Sequence, residues 1–117
     1  HFTVSREMYS QNGVPFVYST EGETYKSIAQ AYGLFHKEIL KMNDLTQDEP
    51  LRPGTVVYLQ AKKKKAAKGI EMHFIDADET LRDIAQRYAV RLSAIYKING
   101  LTSAYVPRSG DCIRLRK

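Results

Sequence analysis

The chain reads EGETYKSIAQAYG at residues 21–33 and ADETLRDIAQRYA at residues 77–89. The two stretches align at an offset of 56 residues, and that offset holds without a gap from Phe16 to Gln60. Fourteen of those 45 positions are identical, among them Thr24/Thr80, Ile28/Ile84, Tyr32/Tyr88, Asn43/Asn99, Leu45/Leu101 and Gly54/Gly110. Chance at ordinary composition gives about one match in fifteen to twenty. The chain therefore contains one small unit twice, and a repeat of this kind decides the architecture before any local reading does. The copies divide the 117 residues into 1–13 (N-terminal tail and added strand), 14–60 (first unit), 61–70 (a lysine-rich linker) and 71–117 (second unit).

Each copy predicts the same order of elements. PFVYST (15–20) and MHFIDA (72–77) are rich in β-branched and aromatic residues and read as strands. Thr24 and Thr80 stand where an N-cap hydroxyl can accept from a free amide of the first helical turn, and Asp83 adds a favourable negative charge there. Tyr25, Ile28, Ala29 and Tyr32 recur at i, i+3, i+4, i+7, as do Leu81, Ile84, Ala85 and Tyr88, which makes one buried helical face in each copy. Gly33 suits the left-handed end of the first helix, and Ala89 suits it less. A second helix is expected over HKEILKMN (36–43) and LSAIYKIN (92–99), then a turn-rich stretch over 44–54 and 100–110. TVVYLQ (55–60) and DCIRLR (111–116) alternate as half-buried closing strands. The expected class is α+β: two βααβ units, each with an antiparallel pair of strands and two helices on one face. Asn12-Gly13 is a strong hairpin signal. It predicts a strand at about 6–11 paired with 14–19, added to the first sheet only, with His1–Ser5 as a tail.

The net charge of +5 raises the question of an acidic partner. Its location argues otherwise. Residues 14–60 carry four bases and six acids, residues 71–117 carry eight and six, and residues 61–70 carry five bases and no acid. The excess thus equals that of the linker, where lysines keep a connector solvated and extended. One cysteine, Cys112, excludes an intramolecular disulfide, and in its alternating run it reads as a small buried hydrophobe. No apolar run approaches the roughly 20 residues of a membrane span. The chain opens on His1, which reads as a processed chain or an excised fragment.

The strand-helix-helix-strand order, the start GETYKSIAQAYG, the N-x-L after the second helix and the P-G before the last strand resemble LysM domains. The second copy keeps the frame as DETLRDIAQRYAV, NGL and a glycine before CIRLR. The whole chain is also similar to the C-terminal region of Bacteroidota cell-wall glucosaminidases, which implies a catalytic domain before His1. The LysM resemblance implies a non-catalytic module pair that binds N-acetylglucosamine-containing glycan, peptidoglycan or a chitin-like polymer, in the bacterial cell envelope, as a monomer. It implies a shallow groove between two turns. In the first unit the walls are Gly22, Glu23, Thr24 and Tyr25, facing Asn43, Asp44, Leu45 and Thr46, with Pro53 and Gly54 beyond. In the second they are Asp78, Glu79, Thr80 and Leu81, facing Asn99, Gly100, Leu101 and Thr102, with Ser109 and Gly110. Two departures bear on the second groove: Asp78 stands at the glycine position and Ser109 at the proline position. Leu45, Leu101 and Tyr25 are the expected apolar floor for sugar C–H faces.

The residues bear on two other classes of function. A glycosidase needs two carboxylates flanking one bond; Glu23 and Glu79 fall in different units, and Asp48 and Glu49 have no counterparts in the second copy. His1, His36 and His73 do not recur, and no metal spacing, nucleophile motif or cofactor signature is present. The alternative binding function is capture of an anionic envelope polymer or nucleic acid by Lys62–Lys65 and Lys68, without sequence-specific nucleic-acid recognition. Such binding would weaken steeply with salt, whereas glycan binding would not.

Overall fold

The computed structural model describes residues 6–117; the expected tail at His1–Ser5 lies outside the described residues. The fold is α+β. It contains two βααβ units, and the chain divides between Ala61 and Lys62.

In the first unit, β1 (Tyr9–Gln11) and β2 (Val14–Tyr18) form a hairpin. Asn12 and Gly13 both take positive φ, 55° and 74°, as a two-residue hairpin turn requires. β1 is shorter than the expected 6–11. Next come α1 (Tyr25–Ala31), α2 (His36–Met42) and β3 (Val56–Tyr58), which pairs antiparallel with β2 through Phe16↔Tyr58, Val17↔Val57 and Tyr18↔Val56. The sheet order is β1-β2-β3. α1 begins with a reciprocal cap: Ser27 N–H donates to Thr24 Oγ1 at 3.0 Å, and Thr24 N–H to Ser27 Oγ at 2.9 Å. Val17, Tyr25, Ile28, Ala29, Ile39, Leu40, Val57 and Leu59 close the core. This is the apolar stripe predicted for the first helix meeting the inward residues of the two terminal strands. Each large aliphatic side chain so buried contributes about 1.5–3 kcal/mol.

The second unit repeats this with β4 (Met72–Phe74), α3 (Leu81–Tyr88), α4 (Leu92–Asn99) and β5 (Cys112–Arg114). β4 and β5 pair antiparallel through Met72↔Arg114, His73↔Ile113 and Phe74↔Cys112. Asp83 N–H donates to Thr80 Oγ1 at 3.0 Å, and Thr80 N–H to Asp83 Oδ2 at 2.9 Å. The core gathers Ile75, Leu81, Ile84, Ala85, Val90, Ile95, Ile113 and Leu115. Ala89 caps α3 in the left-handed region (φ 55°, ψ 44°), where Gly33 follows the first unit's helix at φ 68°.

Two expectations need correction. Cys112 is exposed, not buried, with Sγ 3.6 Å from Met72 Sδ. The alternation is real, but its inward phase falls on Ile113 and Leu115. The segment after Ala61 is not a solvated connector at residues 62–66. Lys63 N–H donates to Ala89 O (3.0 Å), Lys63 O accepts from Arg91 N–H (2.8 Å), and Ala66 N–H donates to Leu115 O (2.9 Å). Ala66 belongs to the second core, and Lys62 is buried with its ammonium on Gln86 Oε1 at 2.6 Å. A run of lysines still has a backbone, and here that backbone finishes the second unit's hydrogen bonding.

Candidate functional site

The residues that the resemblance marked fall on two turns in each unit, and both turns are tied to the closing strand. In the first unit Ser19, at the end of β2, donates its N–H to Thr55 O at 2.8 Å, and Gly54 donates to Ser19 O at 2.8 Å. Ser19 Oγ donates to Arg52 O at 2.7 Å. Pro53-Gly54 therefore sits beside the start of the Gly22–Tyr25 turn. At the far end of α2, Asn43 is fully buried. Its Nδ2 donates to Ile39 O (2.8 Å) and Tyr58 O (3.0 Å), and its Oδ1 accepts from Tyr58 N–H (2.8 Å). The second turn is thereby fixed to β3 three residues along from Thr55, or about 10 Å in a strand.

The second unit reproduces the backbone pair and the asparagine bridge, with Ile75 in place of Ser19 and so without the hydroxyl bond. Ile75 N–H donates to Asp111 O and Gly110 N–H to Ile75 O, both at 2.8 Å. Asn99 Nδ2 donates to Ile95 O (2.8 Å) and Arg114 O (2.9 Å), while Arg114 N–H donates to Asn99 Oδ1 (2.8 Å). Both asparagines have thus spent their amide on the fold. The signal was in the sequence as an asparagine recurring at a helix end, but the partner lies 15 residues on in a strand.

The left-handed positions of the turns correspond in place and differ in residue. Gly22 (φ 83°) matches Asp78 (φ 63°), and Asp44 (φ 56°) matches Gly100 (φ 61°). Among the described residues, Gly22 and Thr46 in the first unit and Asp78 in the second have no backbone hydrogen-bond partner. Thr24, Thr80, Thr46, Thr102, Pro53 and Ser109 are exposed, and Leu45 and Leu101 are half-buried against their cores. Tyr25 and its counterpart Leu81 are buried, so Tyr25 offers no floor to a sugar.

Glu23 and Glu79 hold the first turn. Glu23 Oε1 accepts from Thr20 N–H at 2.6 Å, and its carboxylate is bridged by the Arg6 guanidinium, with Nη1 2.8 Å from Oε2. That hydrogen bond chiefly holds the Glu23 carboxyl below the usual range, against the opposing pull of burial. Glu79 Oε1 accepts from Asp76 N–H (3.0 Å) and lies 2.8 Å from His73 Nε2. Burial pushes the Glu79 carboxyl up, but the Asp76 amide, the His73 contact and the charges of His73 and Arg87 outweigh it, so the net direction is down. The other ring nitrogen of His73 meets Tyr88 Oη at 2.8 Å.

His73, Asp76 and Glu79 place ligand atoms within 4.8 Å of one another, a mixed set that a divalent transition ion accepts. The sequence reading named no metal ligands. Both ring nitrogens of His73 are already at hydrogen-bond distance from protein groups, so the trio as it stands is a folded turn.

A LysM domain model matches residues 20–60 and again 75–116. The chain belongs to the LysM family. LysM domains are modules that bind peptidoglycan and other N-acetylglucosamine glycans, not catalytic domains. Compared with curated proteins, the chain finds no match. Among solved structures, the LysM pair is similar to the spore cortex-lytic enzyme SleL of Bacillus cereus, with 24% identity, 89% of this chain and 22% of that chain covered, and a TM-score of 0.38. The SleL of Bacillus megaterium QM B1551 gives 17% identity, 86% and 22% coverage, and a TM-score of 0.36. The LysM pair thus spans about a fifth of those chains. No helix among the described residues is long and apolar enough to cross a membrane.

Proposed function

We propose that the two LysM units bind the N-acetylglucosamine-containing strand of peptidoglycan and hold an attached cell-wall enzyme to it, acting as a monomer in the bacterial envelope. The observation that carries this is the pair of turns tied to one strand about 10 Å apart in each unit. A rigid strand sets their separation, and the turns leave backbone groups uncommitted at Gly22, Thr46 and Asp78. A neutral sugar needs such directed donors and acceptors, with an apolar surface for its C–H faces. Leu45 and Leu101 supply that surface; the carboxylates of Glu23 and Glu79 serve the turns, and the two residues contact sugar through their backbone carbonyls.

The test is a chemical-shift titration of the whole chain with N-acetylglucosamine oligomers and, beside them, a soluble peptidoglycan fragment. The reading expects saturable shifts at residues 20–25, 43–46 and 53–54 or their counterparts, little affected by salt, with the peptidoglycan fragment at least equal to the oligomer. Shifts confined to other surfaces, or binding lost between about 50 and 200 mM salt, would contradict it.

A further inference from the structure

The fold sorts the lysine run. Lys62 is buried on Gln86, and Lys65 has a partner of its own. Lys64 is exposed and lines a cavity of about 370 Å³ within the second unit, together with Arg91, Ser93, Ala94, Lys97 and Ile98. Residues 93, 94, 97 and 98 lie on one face of α4. Arg91 is held in place by Nε–H donating to Lys62 O at 2.7 Å, which leaves its two terminal amino groups for the cavity. Among the described residues, no carboxylate pairs with Lys64, Arg91 or Lys97, and no acid lines the cavity.

Three cations around one small volume repel one another, and an anion placed among them relieves that repulsion. A guanidinium fork, two ammonium groups and a hydroxyl suit the several oxygens of a phosphate better than the two of a carboxylate. Ala94 and Ile98 leave an apolar side for a carbon skeleton, and the volume falls at the lower end of small-molecule sites. We propose that the cleft between residues 62–64 and α4 of the second unit binds a phosphate ester carried on a sugar or polyol. The site does not depend on the glycan groove. It belongs to the second unit alone, because Phe35 aligns with Arg91 and Glu38 with Ala94, so an aromatic ring and a carboxylate break the cationic set in the first unit. Nucleic acid fits less well: it calls for a stripe of cations that tracks successive phosphates.

The experiment is a chemical-shift titration of the whole chain, in phosphate-free buffer, with glycerol phosphate, glucosamine 6-phosphate and acetate. It is repeated for a Lys64→Gln/Lys97→Gln variant and a Lys26→Gln/Lys37→Gln control, all exposed positions. The expected result is saturable shifts at Lys64, Arg91, Ser93, Ala94 and Lys97 with both phosphate esters, while the first unit stays unmoved. The first variant should bind at least about tenfold more weakly, as loss of charge-assisted hydrogen bonds does; the control should bind as the parent does. Absence of saturation, equal response to acetate, full affinity in the first variant or equal loss in the control would overturn the proposal. So would a single-stranded oligonucleotide that binds with a salt slope well above three phosphate contacts.

Discussion

Glu23 and Glu79 hold equivalent turns in the two units, yet their side-chain partners come from different places. Glu23 is held by the Arg6 guanidinium, 17 residues upstream, and Glu79 by the His73 ring, on the strand just before the turn. The left-handed residues are likewise exchanged: glycine then aspartate in the first unit, aspartate then glycine in the second. What does not vary is the asparagine bridge from the second helix to the closing strand. The comparison teaches that backbone geometry is the repeated quantity, while charge partners are local solutions to the same need.

The comparison breaks most completely in the cores. Ile28 and Ile84 are both fully buried. Ile28→Asp should abolish the native amide signals of the first unit and leave those of the second, and Ile84→Asp the reverse, because an unpaired buried charge costs about 3–5 kcal/mol. Native spectra for both would refute matched cores.

A sharper contrast lies in the asparagines. Asn43→Ala strands the backbone N–H and C=O of buried Tyr58, for a loss of about 2–3 kcal/mol. Asn99→Ala strands those of exposed Arg114, which water re-satisfies, for about 1 kcal/mol. Hydrogen exchange read separately in each unit measures both, and equal losses would show that burial does not set the difference.

Asp78→Gly should stabilise the second unit by at most about 1 kcal/mol, since it removes a side chain from the left-handed region. Asp44→Gly should do the same for the first. If Asp78→Gly also strengthens oligosaccharide binding while Asp44→Gly does not, the side chain at 78 obstructs the groove; equal effects would assign both to backbone strain.

The smallest expected effect is on acidification. A carboxyl whose folded pKa is lowered contributes stability above its unfolded value, and that stability is lost as pH falls through the folded value. Glu23 and Glu79 both shift down from 4.5, so both units weaken below that pH, each by no more than about 1 kcal/mol for a partly exposed pair. Glu23→Gln should flatten the acid limb of the first unit only, and Glu79→Gln that of the second, as seen in unit-specific exchange against pH.

The frame of each unit was legible because periodicity, caps and turns are local: the stripe at Ile28 and Ile84, the threonine caps and the Asn12-Gly13 turn all formed where their neighbours dictated. What stayed hidden depended on partners distant in the chain. Asn43 and Asn99 read as helix-end residues on the groove wall, and their bridge to the closing strand stayed hidden because Tyr58 and Arg114 are 15 residues away. Tyr25 looked like a platform because the stripe fixes which face is inward, not how far the ring sinks. Composition correctly located the charge at residues 61–70, but composition carries no information on backbone hydrogen bonds, so the docking of 62–66 was out of reach. Arg91 and Lys97 escaped notice for the same reason: only the fold brings them to Lys64.

That docked segment alters how the molecule meets a protease. A trypsin-like enzyme needs several residues of extended, detachable chain, and four successive lysines in an open connector would be its first target. Here the run is bonded on both sides, through Lys63 to Ala89 and Arg91 and through Ala66 to Leu115, so cutting within it requires opening part of the second unit. The four successive lysines that look like the weakest point of the chain are guarded by the unit they introduce.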